Sequence, residues 1–261
     1  MRILFVGLIL SIGCTSGPHG DPLPPPDAGA PSTRLVEHQK GSDSSPSGYY
    51  SYVPAAYPGG NKWPLLVALH GIGENGNQTD ELVKVLNTSI ANLVKNNKNW
   101  PNTRPFVVLM PQHSGGDCPS ADEIKAFITW GMANYDIDPK RVYLTGLSCG
   151  GIGAWAYLGQ ELDSQIAAMV PIAGDGKNAW NKQKCALGKV PIWAFHGDMD
   201  PTVNVSGTNV PMDGLATCPS PPRKEATKTI YPGVGHDSWD QTYNLSSGND
   251  IYAWLLAHTH E

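Results

Sequence analysis

The pentapeptide Gly146-Leu147-Ser148-Cys149-Gly150 sets tight limits on the backbone around it. It directly follows a strand-like run at 141–145 and opens a helix-like stretch at 151–161. Its glycines leave room for a sharp turn, because Cβ atoms beside the serine would clash with the neighbouring strand and helix. A serine between two glycines at a strand–turn–helix junction is the pattern of a nucleophile elbow. The alternative is a glycine-rich turn whose serine is inert.

The rest of the chain alternates strand-like and helix-like stretches. Strands are predicted from period-2 or continuous apolar runs at 49–53, 65–69, 106–110, 141–145, 166–172, 190–195 and 226–231. Helices are predicted from the spacing of apolar residues at 79–95, 121–135, 151–161 and 251–257. Strands separated by helices imply right-handed crossovers and a mostly parallel sheet with helices on both faces. Functional loops are then expected at the carboxyl ends of the strands.

A nucleophilic serine needs a base, and the base needs a carboxylate that orients it. His236, in the loop after the strand at 226–231, is the candidate base. Asp198 and Asp200 both follow the strand at 190–195, and we favour Asp200 as the acid, with Asp198 as a turn former. His196 is expected to brace the acid loop. Ser148, Asp200 and His236 then follow the chain order serine, acid, histidine.

The oxyanion of an acyl-transfer intermediate needs preorganised hydrogen-bond donors. One candidate is the backbone N–H of Cys149, directly after the serine. The second is expected from the glycine-rich loop after the strand at 65–69, and we assign it to the Ile72 N–H, with Gly73 as the alternative.

These segments resemble the α/β-hydrolase-fold serine esterases, particularly the bacterial predicted-peptidase and polyhydroxybutyrate-depolymerase-like group. The resemblance rests on four segments that together span about residues 49–257: 69–74, 141–148, 193–197 and 231–239. The stretch 196–203 is similar to the family pattern His-Gly-x-x-Asp-x-x-Val, which favours Asp200. The resemblance implies the α/β-hydrolase fold and esterase activity on acetylated or feruloylated plant polysaccharides or on polyesters. Cys149 departs from the methionine of many relatives, but a backbone donor tolerates the change.

The amino-terminal region has the pattern of an export signal followed by a spacer. A positive start and a short apolar run predict a signal peptide at 1–13, and the run is too short to span a bilayer. The segment before Cys14 resembles a bacterial lipobox, which implies acylation of Cys14, although Ser11 replaces the usual leucine. The proline-rich residues 14–33 predict an extended tether. A single catalytic domain is then expected at 34–261, in a protein exported to the cell surface, the periplasm or the medium.

The remaining four cysteines can oxidise in an exported protein. Cys185 and Cys218 each precede a strand of the predicted parallel sheet, so we expect both at one end of the sheet and joined by a disulfide. Cys118 is expected to be free, with pairing to Cys149 as the alternative.

Trp239 and His113 are the candidates for substrate contact. Trp239 lies three residues after His236 and either stacks on a substrate ring or packs within its loop. His113 follows the strand at 106–110 and is expected to line the cleft.

The few residues between the strands at 166–172 and 190–195 leave no room for a large lid. An open cleft favours an accessible or polymeric substrate.

Composition and motifs argue against other classes of ligand. The net charge of −5 and the lack of a Lys/Arg run argue against a nucleic-acid partner. No metal-binding spacing or nucleotide fingerprint occurs, so no metal or cofactor is expected. Membrane contact is expected only through Cys14, and the protein is expected to be a monomer.

The sequence thus predicts a serine carboxylic-ester hydrolase that acts through an acyl-enzyme. The alternatives are a serine peptidase with the same triad, a silent binding module on the same fold, and a surface-anchored carbohydrate-binding protein.

Overall fold

The computed structural model describes residues 29–98, 100, 103–161, 165–220 and 224–260. Its strands are β1 (Leu35–His38), β2 (Tyr49–Tyr52), β3 (Trp63–Leu69), β4 (Val107–Pro111), β5 (Ile137–Leu147), β6 (Ala168–Ile172), β7 (Ile192–Gly197) and β8 (Ala226–Tyr231). Its α-helices are α1 (Ser89–Lys95), α2 (Ala121–Asn134), α3 (Cys149–Gln160), α4 (Lys177–Gln183), α5 (Ser206–Ala216), α6 (Trp239–Tyr243) and α7 (Ile251–Leu256). Short 3-10 helices span Pro31–Arg34, Ile72–Glu74, Leu82–Asn87 and Lys184–Lys189.

The described strands form one sheet in the order β1-β2-β4-β3-β5-β6-β7-β8. From β4 to β8 every neighbouring pair is parallel, whereas β1 and β2 add an antiparallel edge. The mostly parallel sheet predicted from the sequence is therefore confirmed. Its parallel strands end at the same edge, so the loops after β3, β4, β5, β7 and β8 meet there.

Apolar side chains cover both faces of the sheet, as buried parallel strands require. Along β3, Leu65 and Val67 point into one core, and Leu66 and Ala68 point into the other. Helices α2, α3, α4 and α5 close the first core, and α1, α6 and α7 close the second. Helices on both faces confirm the predicted layering.

Several elements differ from the prediction. The helix expected at 79–95 is divided into a 3-10 helix and α1, and the break lies at Ser89, whose φ is +62°. Strand β1 and helices α4, α5 and α6 were not predicted, and α5 contains Pro211 within a polar sequence. Between β6 and β7 the described chain holds only α4 and one 3-10 helix, which agrees with the expected lack of a large lid.

The folded unit begins slightly earlier than expected. Pro31 is buried and the Ser32 N–H donates to Asn97 Oδ1 (3.0 Å), so the turn Pro31–Arg34 packs on the domain ahead of the predicted boundary at residue 34. The predicted signal peptide, Cys14 and most of the tether lie outside the described residues. None of the described helices has both the length and the apolar character needed to cross a bilayer.

Candidate active site

Ser148 lies at the sharp turn between β5 and α3, at the carboxyl edge of the sheet. Its φ is +51° and its ψ is −115°, a conformation that non-glycine residues rarely adopt. The Ser148 N–H donates to the carbonyl oxygen of Ile172 on β6 (2.9 Å), which fixes the turn to the neighbouring strand. A Cβ on Gly146 would lie 2.4 Å from the Gly150 carbonyl oxygen. The flanking glycines are therefore a steric requirement of this turn.

His236 connects Ser148 to Asp200 through two hydrogen bonds. Its Nε2 lies 2.8 Å from Ser148 Oγ, and its Nδ1 lies 2.6 Å from Asp200 Oδ2. The three residues come from the loops after β5, β7 and β8. These strands are parallel and lie within one half of the sheet, with β6 between β5 and β7, so their ends bring together residues that are far apart in the chain.

Asp200 is held as an acceptor by the loop around it. Its Oδ1 accepts hydrogen bonds from the N–H groups of Thr202 (2.8 Å) and Val203 (2.9 Å). Burial raises the pKa of the Asp200 carboxyl, but hydrogen bonds from His236 and these backbone donors outweigh burial, so the net shift of the pKa is downward. Asp200 is therefore ionised at neutral pH.

His196 and Asp198 take the supporting places expected of them. The fully buried His196 has its Nε2 3.1 Å from Asp200 Oδ2 and its Nδ1 2.8 Å from Thr208 Oγ1. Asp198 instead accepts a hydrogen bond from the Gly233 N–H (2.7 Å). Of the two competing carboxylates, Asp200 is the one that contacts His236.

Two backbone N–H groups stand beside Ser148 as candidate oxyanion donors. Ile72 and Cys149 are the first residues of a 3-10 helix and of α3, so their N–H groups have no intrahelical acceptor. A Cβ on Gly71 would lie 3.7 Å from the Ser148 Cβ, so the loop that carries Ile72 runs next to the serine.

Sequence reasoning missed His70, which organises this loop. Its Nδ1–H donates to the Gly71 carbonyl oxygen (2.7 Å), and its Nε2 accepts the N–H of His113 (2.9 Å). Burial lowers the pKa of His70 to about 4, so the ring is neutral at pH 7. Its position directly before the glycine-rich loop was the only sequence signal.

His113 and Trp239, the two residues predicted to contact substrate, both contact neighbouring protein side chains. The buried ring of His113 has Nδ1 3.2 Å from Glu123 Oε1 and Nε2 3.1 Å from Asp117 Oδ1. Both ring nitrogens therefore link the loop after β4 to neighbouring carboxylates, and contact of His113 with a substrate stays a prediction. The Trp239 ring packs edge-on against the His236 ring, with centroids 5.0 Å apart.

Two disulfides join cysteines within the described residues. Cys185 pairs with Cys218, as predicted. Cys118 pairs with Cys149, so the expectation of a free Cys118 was wrong and the alternative holds. The prediction failed because Cys118 lies in the loop after β4 and Cys149 begins α3 after β5, so their approach depends on the path of the loop that carries Cys118.

Two exposed apolar side chains, Ile72 and Met199, belong to the loops that carry the candidate site. Ile72 is 55% exposed and Met199 is 68% exposed, and the Met199 N–H donates to the Val234 carbonyl oxygen (3.0 Å) beside the His236 loop. Within the described ranges, no group of three or more His, Cys, Asp or Glu side chains is arranged to hold a metal ion.

Comparison with solved structures identifies the fold. The chain is similar to a thermostable esterase (26% identity, TM-score 0.64), covering 87% of this chain and 63% of that one. It is also similar to a feruloyl esterase module from Clostridium thermocellum complexed with sinapinate (20% identity, TM-score 0.59), covering 91% and 90%. The architecture is the α/β-hydrolase fold.

Sequence comparison finds relatives among larger fungal proteins. The chain is 30% identical over 184 residues to a bifunctional acetylxylan esterase/xylanase of Neocallimastix patriciarum, covering 65% of this chain and 24% of that protein. It is 30% identical over 165 residues to feruloyl esterase B of Piromyces equi, covering 59% and 29%. It thus spans less than a third of the length of either relative. The family model described as Phospholipase/Carboxylesterase matches residues 55–246, more than half of the chain, and the chain belongs to that family.

Proposed function

We propose that this chain is a serine carboxylic-ester hydrolase with Ser148 as nucleophile, His236 as general base and Asp200 as the orienting acid. The observation that carries the proposal is the continuous hydrogen-bonded chain from Ser148 Oγ through His236 to Asp200, with links of 2.8 and 2.6 Å. Both links are within the reach that proton transfer requires. Membership in the Phospholipase/Carboxylesterase family supports the same chemistry.

In the proposed reaction, His236 Nε2 takes the proton of Ser148 as its oxygen attacks the ester carbonyl. Asp200 accepts the His236 Nδ1–H, which fixes the tautomer and stabilises the charged ring. His236 then protonates the leaving alcohol, and an acyl-enzyme on Ser148 remains. A water molecule, deprotonated by His236, releases the acid and restores the serine.

The N–H groups of Ile72 and Cys149 are the proposed donors to the oxyanion. Cys149 begins the 12-residue helix α3, whose dipole adds positive potential at its N–H. Preorganised backbone donors need no rearrangement as charge develops, and each is worth roughly 10²–10³ in kcat.

The proposed substrates are short-chain acyl esters, acylated plant polysaccharides or polyesters. The relatives named acetylxylan esterase and feruloyl esterase support the first two classes. The exposed side chains of Ile72 and Met199 offer an apolar surface to an acyl group. The short β6–β7 connection leaves the site open to a polymer.

Substituting the nucleophile tests the mechanism. We expect Ser148→Ala to lower kcat for p-nitrophenyl acetate by roughly 10⁴–10⁶-fold, because the acyl-enzyme can no longer form. Ser246→Ala changes an exposed serine on another loop and should keep full activity. Fluorophosphonate labelling should mark wild type and Ser246→Ala but not Ser148→Ala. Full activity of Ser148→Ala would refute the proposal.

A substrate panel then separates the classes. Initial rates on acetylated xylan, methyl ferulate, polyhydroxybutyrate, short aliphatic esters and peptide amides should be highest for one of the ester groups. Peptide cleavage faster than every ester would replace the proposal with a serine peptidase.

We also propose that the protein is exported and anchored through Cys14. The two disulfides support an oxidising compartment, since such bonds are rare in the cytosol. If Cys14 carries lipid, the full-length protein should fractionate with membranes and Cys14→Ser should not. If both proteins fractionate equally, Cys14 does not anchor the protein, and only the proposal of export remains.

A further inference from the structure

The loop of residues 113–118, called here the Cys118 loop, connects the two candidate oxyanion donors. It follows β4, and the next residues, Pro119 and Ser120, lead into α2, where Ser120 caps the helix by accepting the Glu123 N–H. One side of the loop contacts the segment that carries Ile72. The other side is bonded to Cys149.

Hydrogen bonds hold the Cys118 loop to the Ile72 segment. Asn75 Nδ2 donates to the carbonyl oxygens of Gly115 and Asp117, both at 3.0 Å. The Gly76 N–H donates to the His113 carbonyl oxygen at 3.1 Å. Asn75 and Gly76 immediately follow the 3-10 helix that begins at Ile72, so these bonds fix the position of that turn.

A covalent bond holds the same loop to the start of α3. Cys118 is joined to Cys149, the residue whose N–H is the other donor. Directly after Cys118, Pro119 packs on α3, since a Cβ added to Gly153 would lie 2.8 Å from Pro119 Cγ. A closed path therefore runs from Cys149 through the disulfide, the Cys118 loop and Asn75 to Ile72.

We propose that the Cys118–Cys149 disulfide is a positioning element that sets the Cys149 N–H relative to the Ile72 N–H for oxyanion binding. The inference rests on the proposed esterase function and adds to it a role for Cys118. Cys118 need not touch the substrate in this role. It acts through the backbone of Cys149.

The expected effect is partial because other contacts also hold the two halves together. A Cβ on Gly150 would lie 2.6 Å from the carbonyl oxygens of Leu69 and His70, so α3 already packs directly on the end of β3. Complete loss of one oxyanion donor lowers kcat by roughly 10²–10³-fold. A donor that is displaced but still present should lower kcat by about 10-fold.

The second disulfide provides a matched control. Cys118–Cys149 spans 31 residues and Cys185–Cys218 spans 33, so both constrain the unfolded chain to a similar degree. Cys185 and Cys218 precede β7 and β8 and therefore lie at the amino edge of the sheet, away from Ser148. We compare the double variants Cys118→Ala/Cys149→Ala and Cys185→Ala/Cys218→Ala, together with the single variant Cys118→Ala.

The readout is p-nitrophenyl acetate turnover per active site, with sites counted by endpoint fluorophosphonate labelling. For the two variants that lack Cys118 we expect kcat to fall about 10-fold, with KM changed less than about threefold. A trifluoromethyl ketone, whose adduct carries an oxyanion, should bind them about 10-fold more weakly. The pH midpoint of kcat/KM should stay at the wild-type value, because Asp200 and His236 are unchanged. The Cys185→Ala/Cys218→Ala variant should match wild type in all four quantities.

Reduction tests the same bond without changing Cys118 or Cys149. In the Cys185→Ala/Cys218→Ala background, dithiothreitol transfers two electrons and two protons to Cys118–Cys149, giving two thiols and cyclic oxidised dithiothreitol. Thiol counting confirms the reduction, near-UV circular dichroism monitors the fold, and removal of the reductant with reoxidation should restore kcat. Loss of the native spectrum on reduction would assign the bond to folding and overturn the proposal.

Failure of this inference and failure of the proposed function give different results. If the wild-type protein neither hydrolyses esters nor is labelled at Ser148, the function itself is wrong. If wild type is active and the reduced protein keeps the wild-type kcat and inhibitor affinity, only the positioning role is overturned. A shifted pH midpoint, or an equal kcat loss in the Cys185→Ala/Cys218→Ala variant, would also overturn it.

Discussion

Asp200 and Asp198 have the same side chain, yet their environments differ sharply. Asp200 is 7% exposed and accepts hydrogen bonds from two backbone N–H groups and His236. Asp198 is exposed and accepts one backbone N–H across the loop. A carboxylate can orient an imidazole only if its own position is fixed, and this condition favours Asp200.

Substituting each aspartate by asparagine should separate their roles. We expect Asp200→Asn to lower kcat for p-nitrophenyl acetate by roughly 10³–10⁴-fold, because the amide favours the wrong tautomer of His236. Asp198→Asn keeps an acceptor for the Gly233 N–H and should change kcat less than about threefold. Steady-state kinetics at pH 8 measure both, and equal losses in the two variants would contradict the assignment.

At the scale of single residues, the sequence predicted which side chains meet at the candidate site better than it predicted their surroundings. Ser148, Asp200 and His236 could be selected because strand ends and loop order restrict the choice. The engagement of both His113 nitrogens could not be predicted, because Asp117 and Glu123 reach the ring only through the fold of the Cys118 loop and the start of α2. Likewise, nothing in the spacing of Cys118 and Cys149 revealed their pairing.

The elbow between β5 and α3 shows how two elements constrain one another. Gly150 lies in the first turn of α3, where it faces the end of β3. The close approach of helix and strand leaves no space for a side chain, so the packing of the elements explains the glycine more than the local turn does.

Adding one methyl group at this junction should therefore disturb the site. We expect Gly150→Ala to lower kcat by more than about 100-fold and the unfolding free energy by about 1–3 kcal/mol, because the Cβ would clash with backbone at 2.6 Å. Gly116→Ala is the control, since nothing lies within 4 Å of its added Cβ. Kinetics and urea unfolding measure both effects, and near-wild-type behaviour of Gly150→Ala would refute the steric argument.

His70, which connects the loops after β3 and β4, should make the unfolding free energy depend on pH. The pKa of His70 is lowered to about 4 from 6.5, so the unfolded state binds a proton below pH 6.5 that the folded state does not bind until about pH 4. The contribution of His70 to the unfolding free energy is therefore fully present above pH 6.5, and it decreases as the pH falls from 6.5 to about 4. The His70 contribution lost by pH 4 is roughly 3 kcal/mol.

The variant His70→Gln removes this titration. When the pH is lowered from 7.5 to 4.5, the unfolding free energy of wild type, measured in urea, should fall by about 2–3 kcal/mol more than that of the variant. Comparing the two proteins cancels the titration of the carboxylates they share. Equal pH dependence in both would show that His70 is not held neutral by the fold.

Elements were predictable where burial on both sides of the sheet left continuous apolar runs, as in β3 and β4. They were not predictable where tertiary contacts override local preference. Helix α5 carries Pro211 in a polar sequence and is stabilised by burying Met212 and Leu215 against the sheet. The divided helix at 79–95 keeps its apolar face, but the left-handed Ser89 changes the direction of the chain.

At the scale of the whole molecule, the two disulfides lie at opposite ends of the strands of one sheet. Cys118–Cys149 lies at the carboxyl edge with the catalytic candidates. Cys185–Cys218 joins the 3-10 helix before β7 to the segment after α5. We infer that Cys118–Cys149 positions the candidate site, whereas both disulfides stabilise the fold.

Removing either disulfide should therefore lower global stability by a similar amount. For loops of 31 and 33 residues, the chain-entropy model gives a loss of about 3–4 kcal/mol in unfolding free energy for each bond. We expect Cys118→Ala/Cys149→Ala and Cys185→Ala/Cys218→Ala to agree within about 1 kcal/mol in urea unfolding at pH 7.5, with m values close to wild type. A large stability loss in the first variant alone would mean that Cys118–Cys149 is chiefly a folding bond, because constraint of the unfolded chain acts on both pairs alike.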